Sequence, residues 1–169
     1  MADAALRQPE MAEWARTATT AGELSTILDG LLPYRGHARA RRVIGFATGQ
    51  SESPGESFSR VQFHALGYPP PELQVEFFDE LGFIGCVDFY WPHLGLIAEF
   101  DGLSKYGDRR KYQRGMTLEQ ILMLEKTRED RLRRVSRDFV RLDWAKVVNR
   151  RLLAEYLRAH GLVERRSSR

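Results

Sequence analysis

Two apolar, aromatic runs that carry acids constrain the fold of this chain more than any other feature. The first covers residues 83–91 (Phe-Ile-Gly-Cys-Val-Asp-Phe-Tyr-Trp), and the second covers residues 96–102 (Leu-Ile-Ala-Glu-Phe-Asp-Gly). Runs of this kind, separated by a short turn that contains Pro and Gly, predict two paired and buried strands. Asp88 lies inside the first run, and Glu99 and Asp101 lie in the second. Because an ionised group that is buried without a partner costs several kcal/mol, these acids are expected to have a specific purpose.

The spacing of the three acids indicates a metal site. Side chains alternate along a strand, so Glu99 and Asp101 share one face, and a hairpin can bring Asp88 beside Glu99. Two carboxylates about 4 Å apart repel each other unless one is protonated or a cation lies between them. Carboxylate oxygens suit a hard cation such as Mg²⁺ or Mn²⁺. The alternative is a pair of strand ends with acids at the solvent edge, which explains Asp101 but not Asp88.

The charge of the chain is distributed unevenly. Residues 1–101 contain 7 Lys/Arg and 14 Asp/Glu, whereas residues 102–169 contain 19 Lys/Arg and 9 Asp/Glu. A basic half beside an acidic metal centre suits a polyanion such as DNA, although solvated basic helix faces would give the same count. Apolar stretches fall short of the roughly 18 residues of a membrane span, and the first residues do not resemble a secretory signal. The single cysteine, Cys86, cannot form an internal disulfide and is expected to be a small buried hydrophobe, so we expect a cytoplasmic protein without a membrane partner.

Local patterns predict an α/β fold with a central mixed sheet flanked by helices. Thr20 and Glu23 form a potential capping box, and Ser53 with Glu56 predicts a second helix start. Thr117 is expected to cap a long helix. The predicted elements are helices over 21–32, 37–48 and 54–66, strands over 73–78, 83–91 and 96–102, a long helix from 118, a strand over 138–144 and a closing helix over 145–160.

Several short motifs together resemble the PD-(D/E)xK nuclease superfamily. The resemblance is strongest to its very-short-patch-repair-like endonuclease branch, a group of uncharacterised actinobacterial proteins. It covers about residues 50–160 in the expected order. The matching stretches are Ser-Pro-Gly-Glu-Ser (53–57), Gly-Tyr-Pro-Pro-Pro (67–71), Val-Asp-Phe-Tyr-Trp-Pro (87–92), Glu-Phe-Asp-Gly (99–102), Lys-Tyr (105–106), Glu-Lys-Thr-Arg-Glu-Asp (125–130) and Val-Arg-Leu-Asp-Trp (140–144).

This resemblance implies a restriction-endonuclease-like core, with a three- to four-stranded mixed sheet, that hydrolyses DNA with Mg²⁺ or Mn²⁺. Together with the local patterns, it divides the chain into three predicted parts: an N-terminal helical segment (1–50), the endonuclease-like domain (51–163) and a mobile basic tail (164–169). Asp88 and Glu99 match the paired metal ligands, which the carbonyl of Phe100 would complete.

Other catalytic positions follow from the same resemblance. Glu56 matches an acid that helps to hold the metal or its water, although an acid in the first turn of a helix also favours the macrodipole. Asp101 occupies the position of the family's catalytic lysine, so Lys105 or Lys126 is expected to supply the missing cation.

The predicted contacts to DNA lie in the basic half of the chain. They are Arg109, Arg110, Lys111 and Arg114 in a basic loop, and Arg128 and Arg131 on the long helix. For Arg131, a surface salt bridge with the acids of its own helix is an equally reasonable interpretation. The alternative function is a non-catalytic DNA-binding or regulatory protein, of the antitoxin or defence-associated kind, that retains the nuclease fold. A plain interaction module is a third possibility.

Overall fold

The chain divides into two compact units, residues 1–57 and 58–169. A computed structural model of the protein describes residues 2–6, 19–31, 35–102 and 115–164. The boundary between the units falls inside a helix, α4, which covers Pro54–Ala65. Among the described helices, none is both long enough and apolar enough to cross a lipid bilayer.

The first unit is helical in its described part, as the sequence predicts. It contains α1 (Ala2–Leu6), α2 (Ala21–Gly30), α3 (His37–Phe46) and the start of α4. Thr20 and Glu23 form the predicted capping box: the Thr20 hydroxyl accepts from the Glu23 amide at 3.1 Å, and the Glu23 carboxylate accepts from the Thr20 amide at 2.7 Å. Such a box satisfies backbone donors that the first turn of a helix leaves unpaired.

The second unit contains the predicted mixed sheet. Its four strands are β1 (Glu72–Asp79), β2 (Gly82–Trp91), β3 (Leu96–Phe100) and β4 (Asp138–Leu142), in the order β1-β2-β3-β4. The first two pairings are antiparallel, and β3 pairs with β4 in parallel. The remaining helices are α5 (Leu118–Val135), α6 (Trp144–Val148) and α7 (Arg150–Ala159).

Two hydrophobic clusters fix helices on both faces of the sheet. On one face, residues of β2, β3 and β4 pack with α4, α6 and α7, and Trp91 is fully buried at the centre of this cluster. On the other face, Leu132 of α5 packs against Ile97 and Phe139. Helices on both faces explain why β3 is buried along its whole length.

The connection between β3 and β4 determines where the acids lie. Because these strands are parallel, their carboxyl ends meet at the same edge of the sheet. Glu99 is the direct neighbour of Arg141 in this pairing, and Phe100 is the neighbour of Leu142. The crossover contains α5, so a long helix lies over the face to which Glu99 and Arg141 point.

Three local predictions were wrong. The closing helix is two helices, because the Asn149 side chain accepts from the Leu152 amide at 3.1 Å and begins α7 anew. Asp143 caps α6 and does not continue β4. Cys86 is exposed rather than buried: it belongs to neither hydrophobic cluster, and its thiol donates to the Gln74 side-chain oxygen at 3.3 Å.

The burial of Trp91 predicts a large effect on stability. Its indole N–H donates to the Pro69 carbonyl at 2.8 Å, and its ring lies edge-on to Phe63 at 5.2 Å between centroids. Trp91→Ala should lower the free energy of unfolding by about 3–5 kcal/mol, the usual loss for a large aromatic core residue. Urea unfolding followed by circular dichroism measures this.

Trp144→Ala is the matched control, because Trp144 remains 40% exposed. Its loss should be roughly two-fifths smaller than that of Trp91→Ala, in proportion to the smaller apolar area removed from water. Equal losses for the two variants would contradict the placement of Trp91 at the centre of the core.

Candidate functional site

Asp88 and Glu99 lie where β2 and β3 separate. The last backbone pair of these strands is Phe89 with Ala98, and Asp88 and Glu99 are the next residues on the two strands. The Asp88 Oδ2 atom accepts a hydrogen bond from the Phe100 amide at 2.7 Å. The carboxylate of Asp88 thus bonds to the backbone of β3 at the point where regular strand pairing has ended, which fixes its position at the edge of the sheet.

Glu99 is buried and bound by an arginine. Its side chain is 3% exposed, and Arg128 of α5 donates from Nη2 to Oε1 and from Nη1 to Oε2, the latter at 3.3 Å. A planar guanidinium that binds both oxygens of a carboxylate is among the strongest ion pairs in proteins. This pair supplies the partner that a buried acid on a central strand requires.

Arg128 is held by more than Glu99. Its Nη2 also donates to the Cys86 carbonyl at 3.0 Å, and its Nη1 lies 3.3 Å from Glu125 Oε1. The guanidinium passes directly over Gly85, where a Cβ atom would lie only 2.7 Å from Arg128 Nε. The absence of a side chain at Gly85 therefore makes room for Arg128.

A second arginine completes the cluster. Arg141 of β4 lies 2.9 Å from Glu125 Oε1 and 2.9 Å from Glu129 Oε2. It also lies 3.9 Å from Glu99 Oε2 and 3.8 Å from Asp101 Oδ2. We call Glu99, Glu125, Arg128, Glu129 and Arg141 the acid–arginine cluster. It joins β3, β4 and α5 on one face of the sheet.

Opposite charges in the cluster shift the pKa values of Arg128, Arg141 and Glu129 so that the ionised form of each side chain is favoured. Burial lowers the pKa of the Arg128 guanidinium, but its hydrogen bond to Glu99 and the charges of Glu99 and Glu125 raise the pKa above its ordinary value. The pKa of Arg141 is raised for the same reason, against burial, by Glu125 and Glu129. Burial raises the pKa of Glu129, but Arg133 and Arg141 lower it below its ordinary value. Both arginines are therefore permanently charged components of the site.

The other predicted catalytic residues have different surroundings. Asp101 follows β3, its amide donates to the Leu142 carbonyl at 2.6 Å, and its side chain is 39% exposed. Lys126 is exposed and lies two residues from Arg128, about 200° around α5, on the side turned away from the sheet. Lys105 lies outside the described residues.

Glu56 belongs to the first unit and stands in the first turn of α4. Its carboxylate accepts from the Glu52 amide at 2.7 Å and from the Ser53 hydroxyl at 2.7 Å, and the Ser53 hydroxyl accepts from the Glu56 amide at 3.1 Å. Ser53 and Glu56 thus define this helix start as the sequence predicts. The predicted contribution of Glu56 to metal binding stays a prediction.

The predicted DNA contacts are only partly described. Arg128 binds Glu99, and Arg131 binds Asp79 at 2.7 Å through Nε and the Gly82 carbonyl at 3.0 Å. Arg131 therefore connects α5 to the β1–β2 hairpin. The alternative predicted from the sequence was a surface salt bridge with acids of its own helix. The loop residues Arg109, Arg110, Lys111 and Arg114 lie outside the described residues.

The sequence interpretation did not include Arg141 or Glu125 in the site. A signal for Arg141 exists, because it occupies the same strand face as buried Phe139. A cation at such a position requires an acid nearby. Glu125 could then be selected because it lies three residues before Arg128 on one helix.

The donor set fits a divalent metal, with one condition. Asp88 and Glu99 carry the hard oxygen donors that Mg²⁺ prefers, and they occupy neighbouring positions on two strands. Arg128 binds both oxygens of Glu99, so coordination by Glu99 requires this arginine to release at least one of them. In the described ranges, no group of three or more His, Cys, Asp or Glu side chains is arranged around a common metal position.

Comparisons with known proteins find partial matches to two relatives. No family model matches the chain, and no solved structure matches it. Two uncharacterised proteins from Mycobacterium tuberculosis, of strains CDC 1551 and H37Rv, are each 39% identical to it over 70 residues. The matched stretch is 41% of this chain and 26% of each relative, so it spans about a quarter of their length.

A double-mutant cycle tests the Glu99–Arg128 pair. Arg128→Met should lower the free energy of unfolding by roughly 3 kcal/mol, the lower end for breaking a buried pair, because Arg141 remains near Glu99. Adding Glu99→Gln should recover about 1–3 kcal/mol, because the uncompensated charge is removed. Chemical unfolding of the four proteins measures the coupling, and additive effects would contradict a direct pair.

The lowered pKa of Glu129 predicts the direction of a pH dependence. Its folded pKa lies below the ordinary value of 4.5, so the ionised side chain stabilises the fold fully above that pH. This contribution is lost as the pH falls through the folded pKa. Between about pH 6 and pH 3, Glu129→Gln should therefore lose less stability than the original protein, as measured by urea unfolding. Parallel pH profiles would show that the Glu129 ion pairs do not stabilise the fold.

Proposed function

We propose that the protein is a metal-dependent endonuclease of the PD-(D/E)xK superfamily, which hydrolyses DNA phosphodiester bonds in the cytoplasm. One observation carries this proposal: Asp88 and Glu99 occupy neighbouring positions at the point where two central strands separate. A mixed four-stranded sheet with helices on both faces, the core that the sequence resemblance implies, supports it. Acidic side chains on core strands are rarely buried as completely as that of Glu99.

Each residue has a distinct task in this proposal. Asp88 and Glu99 would hold Mg²⁺ or Mn²⁺, which supplies an activated water and neutralises charge on the phosphate oxygens. The Phe100 amide orients the Asp88 carboxylate through its hydrogen bond. The support of the metal or its water that the sequence resemblance assigns to Glu56 stays a prediction. The cation that replaces the family's lysine would be Lys105, or Arg128 from its place beside Glu99.

The DNA would be bound by the basic half of the chain. Lys126 is suited to contacting a phosphate, because it is exposed on the outer side of α5. The basic loop residues Arg109, Arg110, Lys111 and Arg114 would add further phosphate contacts. Arg131 is bound to Asp79 and to two carbonyls of the hairpin, so its contribution to DNA binding would be smaller.

The second candidate is a DNA-binding or regulatory protein that has retained the nuclease fold without catalysis. Two observations favour it. Asp101 stands where the family has its lysine, and both oxygens of Glu99 are bound by Arg128. Such a protein would bind DNA but would neither need nor use a divalent ion.

Nicking of supercoiled plasmid in Mg²⁺ or Mn²⁺ distinguishes the two functions. We expect Asp88→Asn and Glu99→Gln each to lower the cleavage rate by at least about a hundredfold, the scale for losing a principal charge-stabilising group. Lys105→Ala, compared with Lys126→Ala on the outer side of α5, tests the replacement cation, whose removal should lower the cleavage rate by roughly one to three orders of magnitude.

Asp79→Asn is the matched control, because Asp79 is also a strand aspartate bound to an arginine of α5, but its partner is Arg131 and it stands at the β1–β2 hairpin. It should cleave at the original rate. If the original protein cuts duplex, mismatched and single-stranded DNA no faster than Asp88→Asn, the endonuclease proposal is wrong. DNA binding that persists in all these proteins would then favour the non-catalytic function.

A further inference from the structure

The position of Arg128 is built from three separate elements. Its guanidinium binds Glu99 on β3, the Cys86 carbonyl on β2 and Glu125 on its own helix. Gly85 leaves the space through which it passes. A surface arginine that meets an acid by chance would not require a gap in a neighbouring strand. The sequence therefore specifies a place for this cation beside Glu99.

Glu99 depends on Arg128 for its neutralisation. Among the described residues, the other cation near Glu99 is Arg141, which lies 3.9 Å from it and makes its shorter contacts with Glu125 and Glu129. A divalent ion bound to Glu99 would lie close to the Arg128 guanidinium. Charges of the same sign at about 4 Å repel each other strongly in a partly buried site. The guanidinium and the metal thus compete for one carboxylate.

We propose that Arg128 is the resident counter-ion of Glu99 and exchanges with a divalent cation, so that each metal ion that binds Glu99 releases the Arg128 guanidinium. This inference rests on the proposed metal site. It also reconciles the observed pairing of Arg128 with Glu99 and the predicted contact of Arg128 with DNA. In the metal-free protein the arginine neutralises a buried acid, and in the metal-bound protein it becomes available to a phosphate, to which a guanidinium can donate two parallel hydrogen bonds.

The exchange predicts that removal of Arg128 strengthens metal binding. Calorimetric titration with Mn²⁺ should give an affinity at least about tenfold higher for Arg128→Met than for the original protein, because one charge-assisted hydrogen-bonded pair no longer has to be broken. Arg128→Lys keeps the charge but cannot bind both oxygens in one plane, so its affinity should lie between the two. It also serves as the folded substitute if Arg128→Met is too unstable.

Arg133→Met is the matched control. Arg133 lies on the same helix and pairs with a glutamate, Glu129, so this variant removes the same charge without touching Glu99. Its Mn²⁺ affinity should equal that of the original protein. Asp88→Asn should bind Mn²⁺ more weakly and thereby locates the metal.

A second measurement observes the exchange in the unaltered protein. In ¹⁵N-resolved NMR spectra, addition of Mg²⁺ should shift the Arg128 Nε–H signal, whereas the Arg133 signal should stay in place. If Asp88→Asn weakens Mn²⁺ binding but Arg128→Met does not strengthen it and the Arg128 signal does not move, the counter-ion exchange is wrong and the metal site stands. If neither the original protein nor any variant binds Mn²⁺, the proposed metal-dependent function itself is wrong.

Discussion

The ion pair between Glu99 and Arg128 is the interaction on which the second unit depends. Glu99 stands on a strand that is buried along its whole length, where an unpaired charge costs several kcal/mol. A leucine at the same position would be buried at a lower free-energy cost, and α5 would then be positioned by apolar contacts alone. The acid instead requires α5 to lie where Arg128 reaches it. The pair therefore fixes the rotation of the helix about its axis as well as the charge of the site.

The parallel pairing of β3 and β4 makes this arrangement possible. It brings the carboxyl ends of two strands together beneath α5, so that acids and arginines from three elements meet on one face. Leu132, one turn after Arg128, is fully buried against Ile97 and Phe139 and anchors the same helix by apolar contact. Polar and apolar contacts thus alternate along one side of α5. The site is supported by the hydrophobic core directly beside it.

The sequence predicts local structure well, but it predicts less well which residues pair with the charged side chains. Strand pairs, the Thr20 cap and the mixed sheet follow from patterns among near neighbours, and the structure confirms them. The partner of Arg131 was not accessible in this way, because Asp79 lies 52 residues away. Glu99 could be recognised as an acid that needs a cation, but a metal and an arginine satisfy that need equally well. Only the geometry of the crossover shows that Arg128 is the cation that binds Glu99. The division of the closing helix at Asn149 likewise depends on a single capping side chain rather than on periodicity.

Among the described strands, β1 lies at one edge of the sheet, and this position has a consequence for self-association. An edge strand presents unpaired amide and carbonyl groups to which another chain can add. Along β1, Glu72 and Glu76 are exposed, and Gln74 has a positive φ of 50°, which interrupts the regular strand backbone. A second copy approaching this edge would meet like charges and a distorted row of hydrogen-bonding groups. The sheet is thereby discouraged from growing from one molecule into the next.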